Sequence, residues 1–170
     1  MAFFNRRALG LWLAVLALMV DQATKLWALE ALLAENMDVI PGFFGLTLSF
    51  NRGVAFSFLA DSPHVHLPYL LAVFAFAVSV VFVLYMPKGG RLFQAGLGCI
   101  VGGALGNMVD RFMFGGVIDF IWFYYGDWSF PIFNVADIAI NIGVGFILID
   151  AFLQFRQEKF KFKTEKREQT

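Results

Sequence analysis

Charge is scarce in this chain. Only 15% of its 170 residues are Asp, Glu, Lys or Arg, against about 25% in a soluble domain. A single cysteine, Cys99, leaves no partner for an internal disulfide, and two histidines without further ligands show no zinc-like spacing. The 13 basic and 13 acidic residues balance, so the basic footprint of a nucleic-acid binder is absent. No repeat of 20 to 50 residues and no low-complexity tract divides the chain. What fills it is apolar: 59% hydrophobic residues, 22 of them Phe, and a mean hydropathy of +0.71. No polar surface could wrap one core of that size, so apolar side chains must face lipid as well as each other. Disorder, collagen and most cytosolic enzymes are excluded.

A spanning helix needs about 20 mostly apolar residues, and four stretches qualify: Ala8 to Ala28, Leu67 to Met86, Leu92 to about Arg111, and Ile132 to Leu153. Arg6 and Arg7 before the run Ala8 to Val20 also fit a secretory signal peptide. The run continues past Asp21 and Lys25 into Leu26, Trp27 and Leu29 without a clear small-residue cleavage site, so an uncleaved span is the better reading. Arg6, Arg7, Lys88, Arg91, Arg156, Lys159, Lys161, Lys163, Lys166 and Arg167, ten of the 13 cations, fall on one side of these spans. By the positive-inside rule both termini and Lys88 are then cytoplasmic, and the loops holding Asn51 and Asp127 face outward.

The outer loops carry their own patterns. Leu46, Leu48 and Phe50 alternate with polar residues, as do Val54, Phe56 and Phe58 with small ones, and Asn51-Arg52-Gly53 between them suits a hairpin turn. Ile121, Trp122, Phe123, Tyr124, Tyr125 and Trp128 are the aromatic and apolar kind that settles at headgroup level. The expected fold is an all-α polytopic membrane protein of four transmembrane helices, with a small extracytoplasmic β-sheet and an amphipathic interfacial segment. Residues 1–156 form one four-helix domain and 157–170 a charged cytoplasmic tail, read as a frayed helix end and a disordered terminus. Gly98, Gly102 and Gly106 read as a close-packing stripe, Cys99 as a small buried hydrophobe, and His64 and His66 as a solvated pair.

Ionisable groups inside membrane helices are costly and call for a partner or a function. Asp110 lies 19 residues after Arg91, and Asp137 19 before Arg156, so each sits about 28 Å from the inner cationic ring. Asp21 and Lys25 lie about 21 and 27 Å beyond Arg7. All four gather near the outer interface, whereas a carrier concentrates polar groups near the midplane. Asp21 and Lys25 are spaced i,i+4 with the acid first. Asn107 and Arg111 share a face, as do Asn134, Asp137 and Asn141. Asn134 followed three residues on by Asp137 also reads as a helix cap with its capping-box acid. Asp119, inside Val117-Ile118-Asp119-Phe120-Ile121-Trp122, has no such explanation and needs a partner or a proton. Asp21 has Lys25, and Asp110 has Arg111 beside it, though adjacent residues on a helix point apart. Asp119 and Asp137 remain the least compensated pair. Two carboxyls in a low-dielectric pocket cannot both ionise easily, so one is left as a base and the other as an acid. A non-catalytic scaffold, in which Asp and Asn only cap and glue helices, is the rival that Asp119 argues against.

Five ordered motifs carry a resemblance. They are Asp21-Gln22-Ala23-Thr24-Lys25, Asn51-Arg52-Gly53-Val54-Ala55-Phe56, the run Gly102 to Arg111, Val117-Ile118-Asp119-Phe120, and Phe130 to Asp137. Together they resemble the motifs of the lipoprotein signal peptidase (signal peptidase II) family, over about Ala8 to Leu153 and without departure at the motif positions. The resemblance implies an aspartic endopeptidase of the bacterial inner membrane that needs no cofactor or metal and removes signal peptides from diacylglyceryl-modified prolipoproteins. It implies a catalytic pair of Asp119 and Asp137. Asn51, Asn107, Arg111 and Asn134 would line the site or hold substrate, with Asp110 and Asn141 supporting it and Asp21 with Lys25 bracing the first helix. Inhibition by globomycin-like cyclic peptides is implied as well. Membrane lipid and the diacylated prolipoprotein are the expected partners, with the protein acting as a monomer. Within the pair, Asp137 in the first turn of a helix is expected to be the ionised base, and Asp119 among apolar neighbours the protonated acid.

Overall fold

The computed structural model describes residues 7–53 and 66–168, the last eight as backbone only. Four helices long and apolar enough to cross a membrane are present among the described residues. They are α1 (Ala8–Ala31), α2 (Leu67–Tyr85), α3 (Arg91–Phe114) and α4 (Val135–Glu168), and a single 3-10 turn, Met86–Lys88, joins α2 to the chain that enters α3. Each expected span is found, with ends displaced by a few residues. The largest difference is at the C-terminus, where α4 runs on through Gln157 to Glu168. The tail read as frayed and disordered is thus largely helical: its Lys, Glu and Gln residues are good helix formers, and Gly and Pro are missing from it.

α1, α2 and α4 all pack on α3, and α3 presents glycines where α1 and α4 approach its backbone most closely. A Cβ on Gly98 would collide with the Gly10 carbonyl of α1, and one on Gly102 would meet the Ala14 carbonyl at 2.5 Å. On the other side, one on Gly103 would strike the Ala136 carbonyl of α4. The small-residue stripe is close helix packing in a lipid-facing bundle. At one end of the bundle Ala14, Met86, Leu97 and Val101 form a buried cluster. There Arg7 Nε donates to the Val83 carbonyl at 3.0 Å, occupying an acceptor that the end of α2 leaves open.

The opposite end carries an antiparallel sheet in the order β1-β2-β3-β4. Its strands are β1 (Met37–Ile40), β2 (Phe44–Asn51), β3 (Val117–Tyr125) and β4 (Trp128–Ser129). The alternation Leu46, Leu48, Phe50 is strand, as expected. β2 turns back on β1 through Pro41, Gly42 and Phe43, with Gly42 at φ 78°, a conformation glycine adopts freely. On its other edge β2 pairs with β3, Phe44 opposite Phe123 and Ser49 opposite Asp119. The proposed second hairpin arm, Val54 to Phe58, and His64 lie outside the described residues, while His66 is exposed just before α2.

The aromatic segment expected as an amphipathic interfacial stretch is a strand, one of the two inner strands of the sheet. β3 bonds to β2 on one edge and to β4 and Phe133 on the other. This explains why Val117 to Trp122 shows no alternation, since Val117 to Phe120 are all buried. Gly115, at φ 68°, ends α3 with its N–H donating to the Arg111 carbonyl at 3.2 Å and turns the chain into β3. Phe120 then packs with Ala28 and Leu32 from the end of α1 and with Leu46, Leu48 and Val135 around them. The sheet is thereby fixed to the bundle directly over the polar residues of α1, α3 and α4.

Candidate active site

Two aspartates meet at the junction of sheet and bundle. Asp119 arrives on β3 and is 3% exposed. Its Oδ1 accepts from Asn134 Nδ2 at 2.6 Å, and its Oδ2 from Asn51 Nδ2 at 3.2 Å. Asp137 sits in the first turn of α4. Its Oδ1 accepts from Asn107 Nδ2 at 3.0 Å, and its Oδ2 from the Asn134 backbone N–H at 3.2 Å. The Asp137 N–H donates in return to Asn134 Oδ1 at 3.0 Å. The capping box read from the sequence therefore exists, and it does not use Asp137 up, because one oxygen still faces Asn107.

Asn134 ties the pair together. It is fully buried, and its amide nitrogen reaches Asp119, Asn107 Oδ1 at 3.1 Å and the Ile118 carbonyl at 3.3 Å. Burial, and next the negative charge of Asp137, push the Asp119 carboxyl up to about 6, a rise that the amides of Asn51 and Asn134 and the charge of Lys25 partly offset. Such a group is ready to hold a proton near neutral pH.

Behind the pair lies a second polar cluster. Lys25, 1% exposed, is held between Asp21 Oδ2 at 2.9 Å and Asp110 Oδ2 at 2.8 Å. Its ammonium also donates to Asn107 Oδ1 at 2.8 Å. Asp110 thus pairs with Lys25 across the helix interface and not with its neighbour Arg111, and it accepts from the Ile118 N–H at 3.1 Å. Asp21 accepts from the Ala136 N–H at 2.8 Å, filling one of the donors left open where α4 begins. A Cβ on Gly106 would overlap the Asp21 carboxylate, so this glycine makes room for the buried acid.

Arg111 donates to the Asn107 carbonyl at 3.2 Å, and its charge acts on Asp137, Asp110 and Asp119. Its Nε is buried and donates to none of the described residues. Asn141 is exposed and donates at 2.8 Å to the Asp137 backbone carbonyl, a helical contact that brings its side chain to neither carboxyl. Sequence reasoning passes over Gln22, whose amide joins Asp110 at 3.0 Å, the Gly106 carbonyl at 3.2 Å and Asp21 at 3.3 Å. Its signal was its position, an uncharged polar residue within an apolar span. No group of three or more His, Cys, Asp or Glu suited to a metal ion occurs among the described residues.

The family model for signal peptidase (SPase) II matches residues 13–153. The chain belongs to the signal peptidase II family. It is 43% identical over 155 residues to the lipoprotein signal peptidase of Photorhabdus laumondii, covering 89% of this chain and 92% of that protein. It is 41% identical over 163 residues to the lipoprotein signal peptidase of Acinetobacter baylyi, covering 91% and 88%. A solved bacterial membrane enzyme superimposes with a TM-score of 0.72 at 29% identity, over 88% of this chain and 90% of the other. As a signal peptidase II, the chain is a peptidase of the bacterial inner membrane that cleaves signal peptides from prolipoproteins. The match spans every residue of the two polar clusters, from Asp21 to Asn141.

Proposed function

We propose that Asp119 and Asp137 are the catalytic pair and that the reaction is general acid and base hydrolysis of a peptide bond. The observation that supports this most is the contrast in partners. Asp21 and Asp110 are ion-paired to Lys25, while the hydrogen-bond partners described for Asp119 and Asp137 are amides, and the charge of Arg111 acts on both without an ion pair among the described residues. Asp137, at the positive end of the α4 dipole with an N–H on each oxygen, is the ionised base. Asp119, raised to about 6 by burial and by the charge of Asp137, is the proton-holding acid. Asp137 takes a proton from the attacking water, and Asp119 donates to the scissile carbonyl. Collapse of the tetrahedral intermediate then returns a proton to the departing amine. Asn51, Asn107 and Asn134 orient the carboxyls, and Arg111, with its Nε unused, is placed to hold a substrate carbonyl. Asp110, Asn141, Asp21 and Lys25 keep the helices in register.

The substrate is a diacylglyceryl-modified prolipoprotein whose acyl chains stay in lipid while its signal helix enters between helices. Globomycin-like cyclic peptides compete for the same site, and the protein acts as a monomer. Both termini are cytoplasmic, residues 157–170 form a cytoplasmic tail to the domain of residues 1–156, and the sheet and catalytic pair lie at the outer face. The charge of the chain supports this orientation. Incubating the purified protein with a diacylated prolipoprotein tests the reading: the parent cleaves, whereas cleavage that persists in Asp119→Asn or Asp137→Asn rejects the pair. Labelling a cysteine at position 88 in a Cys99→Ser background tests the orientation, and reaction with an impermeant reagent from outside reverses it.

A further inference from the structure

The ammonium of Lys25 does more than join two acids. It donates to Asn107 Oδ1 at 2.8 Å, and the other end of the same amide donates to Asp137 Oδ1 at 3.0 Å. A lysine ammonium has three donors and no acceptor, so it can face only the oxygen of that amide. Asn134 Nδ2, at 3.1 Å, presents a second donor to the same oxygen. With both donors on one side, the amide cannot turn over without setting N–H against N–H on that side and oxygen against carboxylate on the other. We propose that Lys25 is a positioning residue of the hydrolytic site: by holding Asn107 Oδ1 it keeps Nδ2 on Asp137 and so decides which carboxyl of the pair serves as the base.

This rests on the reading of Asp119 and Asp137 as the catalytic pair, and it reaches beyond the bracing role of Lys25. If the oxygen of Asn107 turned toward Asp137, it would favour the protonated carboxyl there, because that oxygen can accept a proton-mediated bond and repels an anion. The proton shared by the pair would move from Asp119 to Asp137. The other charged groups around this amide, among the described residues, are Asp21 from α1, Asp110 and Arg111 from α3, and Asp119 from β3. None of them donates to Asn107 Oδ1. Lys25, the shorter of the two donors to Asn107 Oδ1 beside Asn134, therefore acts on the orientation by a hydrogen bond, and a neutral donor of similar reach should do the same.

The test compares Lys25→Met with Lys25→Gln, both in an Asp21→Asn, Asp110→Asn background that leaves no unpaired buried acid. The assay is the pH profile of kcat/KM on a diacylated prolipoprotein. Expected for Lys25→Met is a fall in kcat of about tenfold or more with little change in KM, and an acid limb moved about one pH unit upward. Lys25→Gln is expected to restore the acid limb of the parent. A purely bracing lysine predicts lower thermal stability in both and no movement of the limb, and that result overturns the inference. Should Lys25→Met fail to fold, Asn107→Asp in the parent chain keeps an acceptor for Lys25 while removing the donor to Asp137. There too the limb must move upward, and an unmoved limb is fatal. If the parent itself does not cleave, the reading of the site fails and the inference falls with it. A cleaving parent with an insensitive limb defeats the inference alone.

Discussion

Two clusters of aspartate lie side by side at one end of this bundle, and they are built oppositely. In the first, Asp21 and Asp110 share Lys25 and two backbone N–H groups, with Gln22 filling the gap between them. In the second, Asp119 and Asp137 are held by Asn51, Asn107 and Asn134. A cation in direct contact stabilises a buried carboxylate and makes it inert, whereas amides fix its position without an ion pair and leave Arg111 to act on the second pair only through its field. The same residue type is thereby a brace in one place and a reactive group in the other. Asn107 hydrogen-bonds to both, to Lys25 through its oxygen and to Asp137 through its nitrogen.

The widest separation between the clusters should come from loss of the reactive carboxyls. Asp119→Asn and Asp137→Asn are each expected to lower kcat by about 10³-fold or more while the protein stays folded, measured on prolipoprotein cleavage beside a melting curve. A brace variant, Asp21→Asn, should do the reverse. It keeps Lys25 paired with Asp110 and loses one charged contact, so stability should drop by about 1–3 kcal/mol with kcat per folded molecule nearly retained. If Asp21→Asn abolished turnover without a change in melting temperature, the division into brace and reactive pair would be wrong.

The titration of Asp119 sharpens the contrast further. Its folded value of about 6 lies above the ordinary 3.8, so the folded state holds this proton more tightly than the unfolded one. The resulting contribution to stability is complete below pH 3.8 and is lost as pH rises to about 6. The difference corresponds to about 3 kcal/mol. Asp119→Asn, which has no proton to lose, is therefore expected to be more stable than the parent at neutral pH and to lack this pH dependence. In the parent, kcat/KM should decline on the alkaline side as the acid loses its proton, with the limb belonging to the pair jointly. Equal stability of parent and variant from pH 4 to pH 7 would remove the desolvation argument.

A smaller effect is expected at Gly106. An added methyl meets the Asp21 carboxylate, and Gly106→Ala should cost about 1–3 kcal/mol through forced repacking. Asp21→Asn and Gly106→Ala together should cost less than the sum of the two, because they disturb one contact. Strict additivity would mean that the glycine serves only the helix packing.

By itself the sequence determined the four spans, the close-packing stripe of α3 and the gathering of Asp21, Lys25, Asp110 and Asp137 at one depth. These follow from properties local to a helix: apolar length, residue size and a rise of about 1.5 Å per residue. It also marked Asp119, because a carboxyl inside an apolar run stands out without any knowledge of its neighbours. The capping pair Asn134 and Asp137 was legible for the same reason, being three residues apart. The partners were another matter. That β2 joins β3, that Asp110 belongs to Lys25 and not to Arg111 and that Gln22 links two acids all depend on residues tens of positions distant. Hydrogen bonds and ion pairs act over about 3 Å, and only the packing of α1 and α4 against the glycines of α3, with β3 fixed above them, brings those groups within that reach.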